Sequence, residues 1–185
     1  VTPEDIKGMK IRPAHATMAN FVTQLGGTNV QSSAPEVRDI IERGVADAVT
    51  FPWGSVVLFG IDKVTKYHMD APLYVTTFAF VMNKDKYNQM SDKQKKAIDN
   101  NCSTEAAGRV GEPWGKFEDA GIAKIKAEAG HEVYPLTPEQ IASWKKASEP
   151  LVKTWGDGVK KNGGDPDAAL TELKASLTKY NALAK

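Results

Sequence analysis

The chain has 185 residues, room for one domain or one and a half. With 41% hydrophobic and 25% charged residues and a formal charge of +1, its composition is that of an ordinary globular protein. No basic run is present, which argues against a nucleic-acid partner. The longest apolar runs, residues 56–61 and 74–82, are too short to span a bilayer. The single cysteine, Cys102, excludes an intrachain disulfide and a multi-cysteine metal site. His15, His68 and His131 are too scattered for a helical metal pair, so no metal or cofactor is expected. No targeting segment is visible, and the start at Val1 leads us to expect a processed product or a fragment.

Taken in order, Thr2-Pro3-Glu4-Asp5 predicts a capped helical turn, stopped by Gly8. Residues 9–12 follow as a short strand. Residues 14–25 predict a helix, because Met18, Phe21, Val22 and Leu25 share one face. Residues 29–32 read as a short strand. Ser33-x-x-Glu36 is a capping box that opens a helix closed by Gly44. Residues 46–51 read as a buried strand. The opening is therefore β-α-β-α-β, which predicts a parallel sheet with right-handed crossovers.

Residues 56–61 read as a helix, although their length also permits a strand, and residues 64–69 as a strand. Residues 74–82 carry Val75, Thr76, Thr77, Phe78 and Phe80 and predict the longest strand of the chain. Ser91-x-x-Gln94 caps a long helical region to about Gly130, in which Pro113 should produce a kink or a break. Residues 132–135 predict a strand. Thr137-Pro138-Glu139-Gln140 opens a helix to about Lys161, and Gly163-Gly164 and Asp165-Pro166 separate it from a last helix. The Cys102 thiol is expected on a helix face, with no chemistry.

Searches for chemistry return little. The chain has no G-x-G-x-x-G, Walker loop, G-x-S-x-G or C-x-x-C. Ser55 has no base placed near it by the sequence, and capping explains Glu36 and Asp39 more simply than catalysis. Two loops carry a case for binding. Arg12-Pro13-Ala14-His15 ends the first strand, and Phe51-Pro52-Trp53-Gly54-Ser55 ends the third. Parallel strands put both loops at one edge of the sheet, where open α/β sheets bind ligands. An arginine fork holds a carboxylate through two parallel hydrogen bonds. Beside Phe51 and Trp53 it would suit an acid with an apolar or aromatic body. An ordinary surface ion pair for Arg12, core packing for Phe51 and Trp53, and a polar first-turn role for His15 remain the simpler alternatives at this point.

The stretch Thr2-Pro3-Glu4-Asp5-Ile6-Lys7-Gly8-Met9-Lys10-Ile11-Arg12 resembles the D-L-K-G-L-K-I-R motif of the solute-binding proteins of TRAP transporters, the DctP family. Glu36-Val37 with Gly44-Val45-Ala46-Asp47-Ala48 resembles the family's E-V-Y-x-A-L-Q-x-G-x-V-D-G stretch, and Pro52 its following proline. Lys63-Val64-Thr65-Lys66-Tyr67 is similar to E-V-x-K-Y. The resemblance runs from Thr2 to about Gly130 and implies a periplasmic-binding-protein-like (type II-like) α/β fold. In that fold two lobes close on a ligand by hinge bending. It further implies that Arg12 pairs with the ligand carboxylate, that the protein is periplasmic, and that its partners are an organic acid and the TRAP membrane permease.

Three departures qualify this. The family's first lobe precedes the motif, so the chain is expected to hold residues 1–77 as a second lobe, 78–130 as a strand and long helix crossing back, and 131–185 as a C-terminal strand and helices. Phe51 stands where sialic-acid-type members have Asn, and Ala34 where they have an aromatic residue. These changes imply a flat, apolar or aromatic monocarboxylate rather than a sugar acid. The expected function is capture of an organic acid for uptake, with no enzymatic activity. The alternatives are a non-binding fragment that self-associates, for example as a homodimer, through its exposed cleft and sheet edges, and an α/β enzyme.

Overall fold

The computed structural model describes residues 1–182. Thr2 caps a 3-10 turn at Pro3–Ile6. Strand β1 (Lys10–Arg12) leads to helix α1 (Ala16–Gln24) and strand β2 (Thr28–Asn29). A 3-10 turn at Ala34–Glu36 runs into α2 (Val37–Glu42), followed by β3 (Ala48–Val49) and α3 (Trp53–Leu58). These strands form one parallel sheet of order β2-β1-β3, with β1 central and Arg12 in register with Val49. The β-α-β-α-β opening is therefore present, as a parallel-stranded α/β arrangement.

A 3-10 turn at Ile61–Lys63 leads to β4 (Tyr67–Asp70). Then come α4 (Lys84–Asn88), α5 (Asp92–Asp99), α6 (Thr104–Ala127), β5 (Glu132–Pro135), α7 (Pro138–Lys161) and α8 (Pro166–Lys179). Strands β4 and β5 form a second parallel pair. Among the described residues, β3 pairs only with β1 and β4 only with β5. The gap between them is lined on one side by Ala48, Val49 and Thr50 and on the other by Tyr67 and Met69.

Two apolar clusters hold these elements. Met18 and Phe21 of α1 pack with Leu136 and with Trp144 of α7, and the Phe21 and Trp144 rings meet edge to face at 5.9 Å. Burial of side chains of this size stabilises by about 1.5–3 kcal/mol each. The second cluster joins Val37 of α2, Val56 of α3, Ile61 and Ile125 of α6. Helices α3 and α6 cross closely because both carry glycine at the contact. A Cβ on Gly121 would lie 2.5 Å from the Cα of Gly54, and one on Gly54 would lie 2.5 Å from the Phe117 ring. The buried Asp62 carboxylate, within 3.4 Å of Lys63 and 3.5 Å of Lys124, ties the turn after α3 to α6.

Several expectations need correction. Residues 74–82 form no strand; Val75, Phe78, Phe80 and Val81 are exposed. Their β propensity is real, but a strand needs a ladder partner, and none lies beside them among the described residues. The helical region after Ser91 breaks at residues 100–103 rather than at Pro113. Ser103 starts the new helix by accepting the Ala106 N–H, and Cys102 sits exposed in that break, not on a helix face. Pro113 stays inside α6 on a solvent-exposed stretch, where water can satisfy the carbonyl that loses its partner. The strands predicted at 29–32 and 46–51 shrink to two residues each. The last three residues of the 131–185 segment lie outside the described residues.

Candidate functional site

The site grows from the carboxyl end of β1. Arg12 is the last residue of the central strand, and the β3 loop is stitched to it. The Thr50 N–H donates to the Arg12 carbonyl at 3.1 Å, and the Ala14 N–H donates to Thr50 Oγ1 at 2.8 Å. Two loops far apart in sequence are thus fixed side by side. Phe51 then places its ring under the guanidinium, with Arg12 Cζ 5.1 Å from the ring centroid. A cation over an aromatic face at this distance is attracted by the ring quadrupole.

The half-buried guanidinium spends one donor within the chain, Nη2 to the Ser32 carbonyl at 3.0 Å. Among the described residues no carboxylate pairs with it. Of the five N–H donors of an arginine, most remain available. Burial lowers the Arg12 pKa from its ordinary value, with Tyr74 acting in the opposite sense. The group nevertheless stays cationic at any physiological pH.

His15 caps α1: its Nδ1 accepts the Met18 N–H at 3.4 Å, and its ring meets Tyr74 edge to face at 5.2 Å. An accepting Nδ1 leaves the proton of the neutral imidazole on Nε2. That Nε2 is buried with no protein partner, as are Ser32 Oγ, the Tyr74 hydroxyl and Glu118 Oε1. Burial, and then the charge of Glu118, push the Tyr74 pKa up to about 12. Each buried polar atom left unmatched costs about 1–3 kcal/mol; Ser32 is bonded to Arg12 through its carbonyl, His15 meets Tyr74, and Glu118 is bonded to Gly54 at the start of α3.

The other residues named from sequence fall as follows. Trp53 begins α3, and its ring lies 5.9 Å from that of His68, facing the second strand pair. Ala34 opens the 3-10 turn two residues beyond Ser32 and is half-buried. A cavity of about 230 Å³ is walled by Phe51, Trp53, His68, Leu73 and Tyr74. Arg12 is not in its wall and adjoins it through Val49, Thr50 and Phe51. The cavity is largely the gap between β3 and β4, so the polar groups around Arg12 define the site better than the cavity does.

Sequence reasoning missed Ser32, Tyr74 and Glu118. Glu118 is brought in by the α3–α6 crossing and held by the Gly54 N–H, which donates to Oε2. The glycines of that crossing are visible in the sequence, but nothing there pairs them. Tyr74 lay hidden in a segment read as a strand.

A parallel sheet presenting a cation, an aromatic face and unmatched polar atoms at the ends of its strands defines an α/β ligand-binding module. The chain belongs to the bacterial extracellular solute-binding proteins, family 7 (DctP), whose model matches residues 1–157. A solute-binding protein of Albidiferax ferrireducens is 25% identical over 174 residues, covering 89% of this chain and 48% of its own.

Solved structures agree in fold. A TRAP periplasmic solute-binding protein from Bordetella bronchiseptica, with bound (R)- and (S)-mandelate, superposes with a TM-score of 0.86 at 24% identity. A marine-metagenome TRAP solute-binding protein from an unidentified microbe, specific for aromatic acid ligands and holding 3-hydroxybenzoate, gives 0.82 at 32% identity. Each match covers 97% of this chain and 57% of the other. The chain therefore spans about half the length of the relatives it matches. Members of the family bind solutes rather than turn them over, and the periplasmic-binding-protein-like fold expected from the sequence is present.

Proposed function

We propose that this chain forms one wall of the ligand cleft of a periplasmic TRAP solute-binding protein that captures an aromatic monocarboxylate and delivers it to the TRAP membrane permease. Arg12 holds the carboxylate. Phe51 offers its ring beside the carboxylate, and Trp53 extends the apolar wall. Ala34, in place of a larger side chain, leaves room for a flat ligand, and His15 closes the polar edge. The observation that carries this reading is the half-buried Arg12 guanidinium, stacked on Phe51 and without a carboxylate partner among the described residues. Mandelate and 3-hydroxybenzoate in the two relatives above, both aromatic acids, support the ligand class.

Segments 1–77, 78–130 and 131–185 serve in this account as the lobe, the crossing segment and the C-terminal buttress. The test is a thermal-shift panel on the intact gene product with benzoate, mandelate, succinate and glucuronate. Stabilisation by the aromatic acids above the other two is expected; a response to glucuronate alone would contradict the reading. A ligand at a hundredfold excess over its Kd adds about 2.7 kcal/mol of stability.

A second reading rests on the exposed Val75, Phe78, Phe80 and Val81. Such a run, with unpaired backbone, suits edge-to-edge pairing of two copies of the chain. Light scattering of the 185-residue chain beside a Phe80→Asp variant tests it: a dimer that dissociates in the variant supports it, and a monomer in both contradicts it.

A further inference from the structure

Strands β3 and β4 face each other across an open slot. The Thr50 N–H donates to the Arg12 carbonyl, and Arg12 is in register with Val49. Alternate residues of a strand turn their N–H and C=O groups to opposite sides, so those of Val49 turn away from β1. On the other side, the Glu132 N–H donates to the Lys66 carbonyl, and Glu132 is in register with Tyr67. The N–H and C=O groups of Tyr67 and Met69 therefore turn away from β5. Val49, Tyr67 and Met69 all line two cavities of about 230 Å³ each. One is bounded by Val56 and Ile61 of the second apolar cluster, the other by Phe21 and Trp144 of the first. The slot thus has room on both faces of the sheet. Among the described residues no strand pairs with these edges of β3 and β4. Two facing edges of unpaired backbone are a template for one more strand.

We propose that an extended segment of the intact gene product, from outside these 185 residues, inserts between β3 and β4 as a strand and joins the two parallel sheets into one. Its backbone bonds to Val49 on one side and to Tyr67 and Met69 on the other, and its side chains fill the two cavities. The length for such a segment is there in the relatives, of which this chain spans about half. Its point of entry is marked as well. Val1 lines the cavity on the Trp144 side, and its carbonyl accepts the Trp144 Nε1–H at 3.0 Å. Chain joined to Val1 therefore starts beside the slot.

The test is amide hydrogen exchange, followed by NMR, on the intact gene product. Thr50 and Glu132 serve as references, because their amides are bonded to Arg12 and Lys66. The Val49, Tyr67 and Met69 amides should exchange within about tenfold of those references. Their protons should also show through-space contacts to residues outside 1–185. Faster exchange than that, with the references still protected, leaves the edges open and overturns the proposal. Protection with contacts that run directly from β3 to β4 overturns it as well. Light scattering on the same sample identifies the source of the strand. Protection in a monomer supports the proposal, whereas protection lost as a dimer dissociates on dilution assigns the slot to a second copy and overturns it.

Discussion

The guanidinium carbon of Arg12 stands 5.1 Å from the centre of the Phe51 ring, although the two residues lie on different strands. Parallel pairing of β1 with β3, in the register Arg12 to Val49, brings them together. The ring covers one face of the cation, so that in the proposed binding role less freedom would be lost on docking a carboxylate.

Phe51→Ala removes that support. Loss of the cation–π contact and of the ring's contact with the ligand should weaken benzoate binding about five- to tenfold. Succinate, which has no ring to lose, should weaken less. Parallel titration of both acids checks this, and unchanged benzoate affinity would count against an aromatic pocket wall.

The α3–α6 crossing makes a prediction about stability. Gly121→Ala would drive a methyl group to 2.5 Å from the Gly54 backbone, which cannot move without displacing α3. Overpacking of this kind costs about 1–3 kcal/mol. For a domain of this size the melting temperature should fall by roughly 5 °C. Gly115→Ala, in the same helix and with open space around the added methyl, should be neutral or raise stability by up to about 1 kcal/mol. Calorimetry on the pair separates crowding from helix propensity.

His68 supplies a pH dependence. Its Nε2 lies 2.9 Å from His131 Nδ1, and burial, then the neighbouring His131, lower its pKa from the ordinary 6.5, against a smaller opposing effect of Asp62. Between that lowered value and about 6.5 the unfolded chain binds a proton that the folded chain does not, so stability rises with pH through this window. Urea unfolding should give lower stability at pH 5.5 than at pH 7, and His68→Gln should flatten the difference. Stability that rises on acidification from pH 7 would contradict the assignment.

Much of this was legible in the sequence where the signal is local. The capping boxes at Ser91 and Thr137 mark helix starts correctly, because one short segment satisfies its own backbone donors. Arg12 and Phe51 could be placed on one sheet edge because parallel topology follows from the order of short strands and helices. What failed depends on partners distant in the chain. Residues 74–82 have strand composition but no ladder neighbour, and composition alone cannot supply one. Glu118 meets Gly54 across 64 residues through a helix crossing that no periodicity reveals. Tyr74 was out of reach for the same reason.

Arg12 itself carries the central claim, and a titration of benzoate into the intact gene product, beside Arg12→Lys and Arg12→Ala, tests it most directly. Lysine keeps the charge but loses the fork and the flat stacking surface on Phe51, so it should not restore binding. Loss of a charge-assisted, two-point contact predicts about 2 kcal/mol, roughly a thirtyfold rise in Kd, for both variants. Benzoate affinity in Arg12→Ala within about twofold of the unaltered protein, with the variant folded, would contradict the account.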